Sequence, residues 1–172
     1  MATAMGSADA VMSVTTMPTT ESVWHAVNRA SFAVLSHVTP SGRPRSSGVV
    51  YTVEDGRLYT VVGADSWKAK HIPLHGRVAV TVPIRRGGLL ALLFPIPPAT
   101  VSFQADAIVH PAGPLGALPV PERLSSLLPP DAQRVSRVIE LQPVGDFVTY
   151  GIGVSLRQMR TPALARGRAP VK

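Results

Sequence analysis

Hydrophobic and polar positions alternate along much of the chain, which is the pattern of strands with one buried face. The clearest case runs from Ala99 to Val109, where Val101, Phe103, Ala105 and Ala107 fall on one face. The predicted strands, in chain order, are Phe32–Val38, Ser46–Val53, Arg57–Val62, Arg77–Ile84, Ala99–Val109, Val135–Leu141 and Asp146–Val154. Six or seven strands at short spacing, joined by turn residues, predict an antiparallel β-barrel with a few helices.

Two segments between these runs have the signals of helices. Thr19 or Thr20 is a suitable N-cap for an amphipathic helix that ends between Arg29 and Ser31. Its apolar stripe consists of Val23, Trp24, Val27 and Ala30. A second helix is predicted from Ser66 to Leu74, with a kink or a stop at Pro73, because proline removes an amide and clashes with the preceding turn.

The proline-rich stretches are predicted to be loops. Residues Arg85 to Pro98 form a Gly- and Pro-rich insertion whose apolar run, Leu89–Phe94, is only six residues long. A membrane span needs about 20 apolar residues, so we expect this run to cover a core or a subunit contact, with a monotopic membrane contact as the weaker alternative. Pro121 is placed to begin a further short helix, whose apolar residues are Leu124, Leu127 and Leu128.

The charge of the chain is unevenly distributed. Its formal net charge is +7, but residues 157–172 hold five basic residues and no acidic one, which leaves 12 basic and 10 acidic residues elsewhere. A nearly balanced body with a basic end is not the basic groove of a nucleic-acid-binding protein. We therefore expect a flexible N-terminal arm (1–18), one barrel domain (19–156) and a basic C-terminal tail (157–172), with no nucleic-acid partner.

The chain has no cysteine, which excludes disulfides, thiolate zinc sites and a cysteine nucleophile and is compatible with a cytoplasmic location. His71 and His75 are four residues apart, the spacing of two metal ligands on one helical face. However, Pro73 lies between them and no glutamate follows His71. This pattern favours a solvent-facing or interface pair, and no metal site is predicted.

The stretch from Arg43 to Ile72 is the best candidate for a binding site. A Glu54-Asp55-Gly56 turn joins two predicted strands, and the second strand leads to a helix start at Asp65-Ser66. The first amides of a helix lack intrahelical partners and lie at the positive end of its dipole, so a phosphate group binds there readily. Lys68 adds a full positive charge within the first turn.

Three short motifs in this stretch are Gly42-Arg43-Pro44-Arg45, the segment from Glu54 to Thr60, and Ser66-Trp67-Lys68-Ala69. In their order and spacing they resemble the pyridoxamine 5′-phosphate oxidase-like family, the split-barrel group of flavin and deazaflavin oxidoreductases. The resemblance is clearest from about Phe32 to Val82. It implies a mainly β fold with a few short helices, a six-stranded split β-barrel of the FMN-binding type. It also implies a homodimer with FMN or a deazaflavin (coenzyme F-420) in a cleft between the subunits.

Carried over by position, the residues implied to surround the cofactor phosphate are Arg45, Tyr59, Thr60, Ser66 and Lys68. Trp67 stands where the oxidase has an arginine, and an indole packs against a ring but cannot neutralise a phosphate. Ser46, Ser47 and the backbone of Val49 are the candidates to lie beside the flat ring, because small side chains let it approach the strand. A long deazaflavin tail would need a basic channel, for which Lys70, Arg85 and Arg86 are candidates.

The predicted function is that of an oxidoreductase in which the bound cofactor carries out hydride transfer to or from a small conjugated substrate. No catalytic residue is assigned, because such a step needs no dedicated acid or base. One alternative is a non-catalytic carrier or sensor of flavin, deazaflavin or haem, for which His37 and His110 are the candidate haem ligands. Another is an interaction protein in which the barrel only supports the basic tail.

Overall fold

The computed structural model of the chain describes residues 17–86, 96–114, 121–126 and 135–172. The strands in these residues are β1 (Phe32–Val38), β2 (Pro44–Val50), β3 (Thr52–Glu54), β4 (Arg57–Gly63), β5 (Arg77–Ile84), β6 (Ala99–Val109), β7 (Ser136–Tyr150) and β8 (Arg166–Pro170). The helices are α1 (Thr20–Arg29), α2 (Trp67–His75), α3 (Glu122–Ser125), a 3-10 helix (Gln158–Arg160) and α4 (Pro162–Ala165). The mainly β prediction is confirmed, but the described residues form eight strands, so the count of six is not.

All eight strands belong to one antiparallel sheet, in the order β2-β1-β5-β6-β7-β4-β3, with β8 paired to β7. The two ends of this order, β2 and β3, are separated in the chain by a single residue, Tyr51. The sheet must therefore curl so that its two edge strands, β2 and β3, come close to each other at Tyr51. Strand β2 approaches β4 without pairing to it, so the curled sheet is open at this position, as in a split barrel.

The predicted extended run from Ser46 to Val53 is two strands rather than one. Strand β2 pairs with β1, whereas β3 pairs with β4, and the chain changes partner at Tyr51. The Tyr51 side chain is buried, and its hydroxyl donates a hydrogen bond to the carbonyl of Val27 in α1 at 2.7 Å. This contact fixes the corner at which the chain crosses from one edge of the sheet to the other.

The two strands predicted over residues 135–154 are one strand, β7, that ends at Tyr150. Its first part pairs with β4 and its last part with β8, while β6 runs along most of its other side. Pro143 and Gly145, in the predicted gap between the two strands, lie between the segments that pair with β4 and β8. A missing amide and a positive φ of 71° at Gly145 are tolerated there because no strand pairs on that side.

The other predicted strands are close to those observed, and β5 and β6 have the predicted ends. The basic residues beyond 156, which show no clear period, contribute the 3-10 helix, α4 and the edge strand β8. The Leu89–Phe94 run and the Leu127 and Leu128 positions lie outside the described residues. No helix among the described residues is long and apolar enough to span a membrane.

The two longer helices cover the barrel. Helix α1 is capped by the Thr19 side chain and buries Val23 and Val27, as predicted. Helix α2 packs against β1, β4 and β6 and buries Ala69 and Ile72. It continues two residues past Pro73, and Gly76, with a φ of 62°, provides the left-handed C-cap.

Candidate functional site

The N-terminus of α2 lies directly after β4, because only Ala64, Asp65 and Ser66 separate the two elements. The Ser66 amide donates to the carbonyl of Gly63 at 3.0 Å, which closes a tight turn. The Ser66 hydroxyl accepts from the Ala69 amide at 3.3 Å and is therefore the N-cap. The remaining first-turn amides of this nine-residue helix have no intrahelical partner, so this end carries the positive end of the dipole.

Arg45 on β2 is brought to the same place. Its guanidinium carbon lies 5.5 Å from the centre of the Trp67 ring, the geometry of a cation–π contact. Trp67 is 60% exposed, so the indole is not a core residue. It lies at the helix start and contacts the arginine that the neighbouring strand supplies.

Two buried histidines extend this group into the barrel. The Trp67 ring centre is 5.1 Å from that of His71, one turn further along α2, and the His71 ring centre is 5.7 Å from that of His37 on β1. His37 and His71 are 4% and 8% exposed. Neither nitrogen of His37 nor Nδ1 of His71 has a hydrogen-bond partner. Of the predicted solvent-facing or interface pair, His71 does not face solvent, because α2 turns this residue toward β1, whereas His75 is exposed.

The electrostatic environment of these residues is positive. Burial, followed by the charges of His71, Lys68 and Arg45, lowers the pKa of His37. Neither Lys68 nor Arg45 takes part in the salt bridges formed by the described residues, and the first turn of α2 contains no acidic residue. The helix start thus combines two uncompensated cations with a positive dipole, an arrangement suited to an anion.

Ser47 and Thr60 lie on the inner faces of β2 and β4, the strands between which the barrel is open. The hydroxyl of each side chain is buried and has no hydrogen-bond partner. Val49, on the same face of β2, belongs to the hydrophobic core. Unpartnered buried hydroxyl groups are costly, so both positions are suited to polar contacts with a bound molecule.

Ser46 and Tyr59 fall on the opposite faces of their strands, because neighbouring side chains along a strand alternate. The Ser46 hydroxyl is 2.7 Å from that of Ser36, and Tyr59 is opposite Glu140 in the sheet register. Seven of the nine predicted residues therefore lie either on the inner faces of β2 and β4 or at the start of α2. The group consists of Arg45, Ser47, Val49, Thr60, Ser66, Trp67 and Lys68.

His110, the second candidate haem ligand, is held elsewhere. Its Nε2 lies 3.0 Å from Glu140, a buried carboxylate that also accepts a hydrogen bond from Arg57 at 2.7 Å. This cluster was not predicted, since its members are far apart in the chain and only the register of β4, β6 and β7 brings them together. The described residues contain no group of three or more potential metal ligands.

Two of the three candidate channel residues already have partners. Arg86 donates one hydrogen bond to Sδ of Met159 at 2.7 Å and another to the carbonyl of Val154. Lys70 lies 3.6 Å from the Asp65 carboxylate. These contacts give Arg86 a structural role in holding the C-terminal segment against the barrel.

Comparison with known proteins places the fold. No protein-family model and no curated protein matches the sequence. Among solved structures, a pyridoxamine 5′-phosphate oxidase-related, FMN-binding protein from Nostoc punctiforme is 17% identical, with a TM-score of 0.55 and 86% of each chain covered. The haem storage protein HutZ from Vibrio cholerae is 13% identical, with a TM-score of 0.59 and coverage of 77% of this chain and 95% of that one.

An F420 reductase is 18% identical, with a TM-score of 0.51 and coverage of 72% of this chain and 93% of that one. At these identities the comparison shows a shared fold. The chain has the fold of the pyridoxamine 5′-phosphate oxidase-like split barrels, which confirms, at the level of the fold, the resemblance found in the sequence.

Proposed function

We propose that the chain binds FMN or a deazaflavin of the coenzyme F-420 type, with the cofactor phosphate at the N-terminus of α2, and that it acts as an oxidoreductase. The observation that carries this proposal is the pair of uncompensated cations at the helix start. Arg45 reaches it from β2, and Lys68 belongs to its first turn. The proposal is further supported by the FMN-binding protein and the F420 reductase that share the fold.

The residues present fit a phosphate-bearing cofactor. Lys68, Arg45 and the first amides of α2 would hold the phosphate, because charge-assisted hydrogen bonds to phosphate are stronger than neutral ones. Ser47 and Thr60, whose buried hydroxyls lack partners, would contact the remainder of the molecule in the opening between β2 and β4. When bound, such a cofactor supplies the capacity for hydride transfer.

Trp67 would take over part of the role of the arginine that it replaces. It does not neutralise charge, but its ring positions the Arg45 guanidinium next to the helix start. The site therefore keeps the cation from β2, Arg45, while α2 supplies one cation, Lys68, at its first turn.

The test is a titration of the cofactor-free protein with FMN and with coenzyme F-420, followed by fluorescence. Saturable binding of either one supports the proposal. Binding of neither by folded protein would contradict it. If one binds, turnover with NAD(P)H, or with the reduced deazaflavin, together with small conjugated substrates distinguishes an enzyme from a carrier.

The second candidate is non-catalytic carriage of flavin, deazaflavin or haem on the same barrel. It is favoured by the haem storage protein among the structures that share the fold. The absorption spectrum of the purified protein separates these ligands, because flavin, deazaflavin and haem have different visible bands. A bound ligand without turnover would support the carrier.

We also propose that the chain forms a homodimer through the outer face of β1, β5 and β6. Two adjoining open clefts, of about 570 and 420 Å³, lie on this face and share Ala79, Gln104 and Val144. Ser36, Ala79 and Ser102 present small side chains along these clefts, which lets a second copy approach the sheet. Light scattering should show a dimer that Ala79→Arg dissociates and Leu156→Arg, at an exposed position elsewhere, does not.

A further inference from the structure

The buried pair His37–His71 has no role in the fold that accounts for its polarity. Three of the four ring nitrogens of this pair are buried without a hydrogen-bond partner. A buried polar group without a partner costs free energy, so its presence calls for an explanation. The pair lies behind the phosphate site, because His71 contacts Trp67 at the helix start.

The charges around the pair do not suit a metal cation. Lys68 on α2 and Arg45 on β2 both act on His37 and are themselves without salt-bridge partners among the described residues. The adjacent strand β5 contributes Arg77, which lies 3.8 Å from Asp106 of β6. The described chain offers no third ligand beside the two imidazoles. Arg77 is exposed on the outer face of β5, so the charges next to the pair are those of Lys68 and Arg45, which attract an anion.

We propose that the His37–His71 pair is the proton-accepting part of the phosphate site, so that binding of a phosphate-bearing ligand beside Arg45 and Lys68 is coupled to uptake of about one proton by the pair. This inference rests on the proposed function and adds a regulation of the same site. The proton comes from solvent and is bound at an imidazole nitrogen, and no covalent bond of the ligand changes.

The direction of the coupling follows from the surroundings. In the ligand-free protein, burial and the neighbouring positive charges lower the pKa of His37, which favours the neutral form of this imidazole. A bound anion offsets those charges and raises the proton affinity of the pair. The affinity for the ligand therefore rises as the pH falls below about 6.5, by at most about tenfold per pH unit for one proton.

The experiment is calorimetric titration of the protein with FMN, or with coenzyme F-420 if that is the cofactor that binds, near pH 6.5 in two buffers of different ionisation enthalpy. The phosphate of FMN titrates in the same range, and because the free cofactor is identical in every titration, the comparison between variants removes the contribution of the free ligand. We expect His37→Gln to take up fewer protons than wild type, by up to about one, and to lose the rise in affinity at low pH. The control is His75→Gln on the same helix, at an exposed position, which should behave as wild type.

Because a buried substitution can affect folding, the unmodified protein provides a second measurement. Its five histidines can be followed by NMR during a pH titration with and without the cofactor. We expect the pKa of His37, which the surrounding positive charges lower in the free protein, to rise on binding. Cofactor binding with unchanged histidine titrations and equal proton uptake in His37→Gln would overturn the inference and leave the proposed function standing.

Two further outcomes are distinguishable. If neither cofactor binds to folded protein, the proposed function fails and the inference fails with it. If zinc ions alone perturb the signals of both His37 and His71 and FMN does not, the pair is a metal site and the inference is wrong.

Discussion

The guanidinium group of Arg45 lies over the indole ring of Trp67, 5.5 Å from the ring centre. The two residues are 22 positions apart in the chain. Arg45 belongs to β2 and Trp67 begins α2, which follows β4 on the other side of the opening in the barrel. Their contact places a cation at the positive end of α2, where no acidic residue balances it.

Lys68→Ala should weaken binding of FMN or coenzyme F-420 by about 1.5 to 3 kcal/mol, the range for hydrogen bonds to charged groups. The dissociation constant can be followed by cofactor fluorescence. Lys70→Ala is the matched control, since Lys70 lies on the same helix but is paired with Asp65. Equal effects of the two substitutions would indicate general electrostatics instead of a specific contact.

Trp67→Ala should weaken cofactor binding by about 0.5 to 1 kcal/mol, because Arg45 loses the ring that positions it. The free energy of unfolding should change little, since the indole is 60% exposed. Trp67→Phe keeps an aromatic face and should bind nearly as well as wild type. Binding by Trp67→Ala that matches wild type would show that Arg45 is positioned by other contacts.

The stability of the ligand-free protein should fall as the pH is lowered through the region below about 6.5. The pKa of His37 is lowered in the folded state, so the unfolded chain binds the proton first and acid favours unfolding. This contribution is fully present above the ordinary histidine pKa and is lost as the pH decreases toward the lowered value. Urea unfolding at several pH values across this range measures the free energy of unfolding. In His37→Gln this free energy should depend less on pH.

Glu140→Gln should destabilise the fold by about 1 to 3 kcal/mol, because a buried acceptor of two charge-assisted contacts is replaced. Glu140 bonds Arg57 at 2.7 Å and His110 at 3.0 Å. Asp106→Asn is the matched control, since its contact with Arg77 is longer, 3.8 Å, and exposed. Asp106→Asn should lower the free energy of unfolding by less than about 1 kcal/mol. Chemical denaturation of both variants provides the comparison.

Tyr51→Phe should lower the free energy of unfolding by about 0.5 to 1.5 kcal/mol, the net value of a typical hydrogen bond. The loss is limited because the Val27 carbonyl keeps its second donor, the amide of Ala30. Tyr51→Leu, which also removes the buried ring, should lower the free energy of unfolding further. A Tyr51→Phe variant as stable as wild type would contradict the role given to this hydroxyl at the corner between β2 and β3.

The sequence alone determined those elements whose signals are local. The cap and apolar stripe of α1, the Glu54-Asp55-Gly56 turn and the serine-capped start of α2 follow from residues within a few positions of one another. Alternation also fixed the limits of β5 and β6. Lys68 was found in the same way, from its place in the first turn of α2, whereas Arg45 was predicted from the family resemblance.

Only the tertiary structure decided which strands pair and what they bring together. The predicted run from Ser46 to Val53 continues through Tyr51, although the pairing partner changes there. Residues 142–145 were predicted to separate two strands, although pairing with β6 continues on both sides of Gly145. The contacts between His37 and His71 and between Arg57 and Glu140 join residues far apart in the chain. A local pattern specifies which face of a strand is apolar, but the partner that covers this face depends on how the sheet closes.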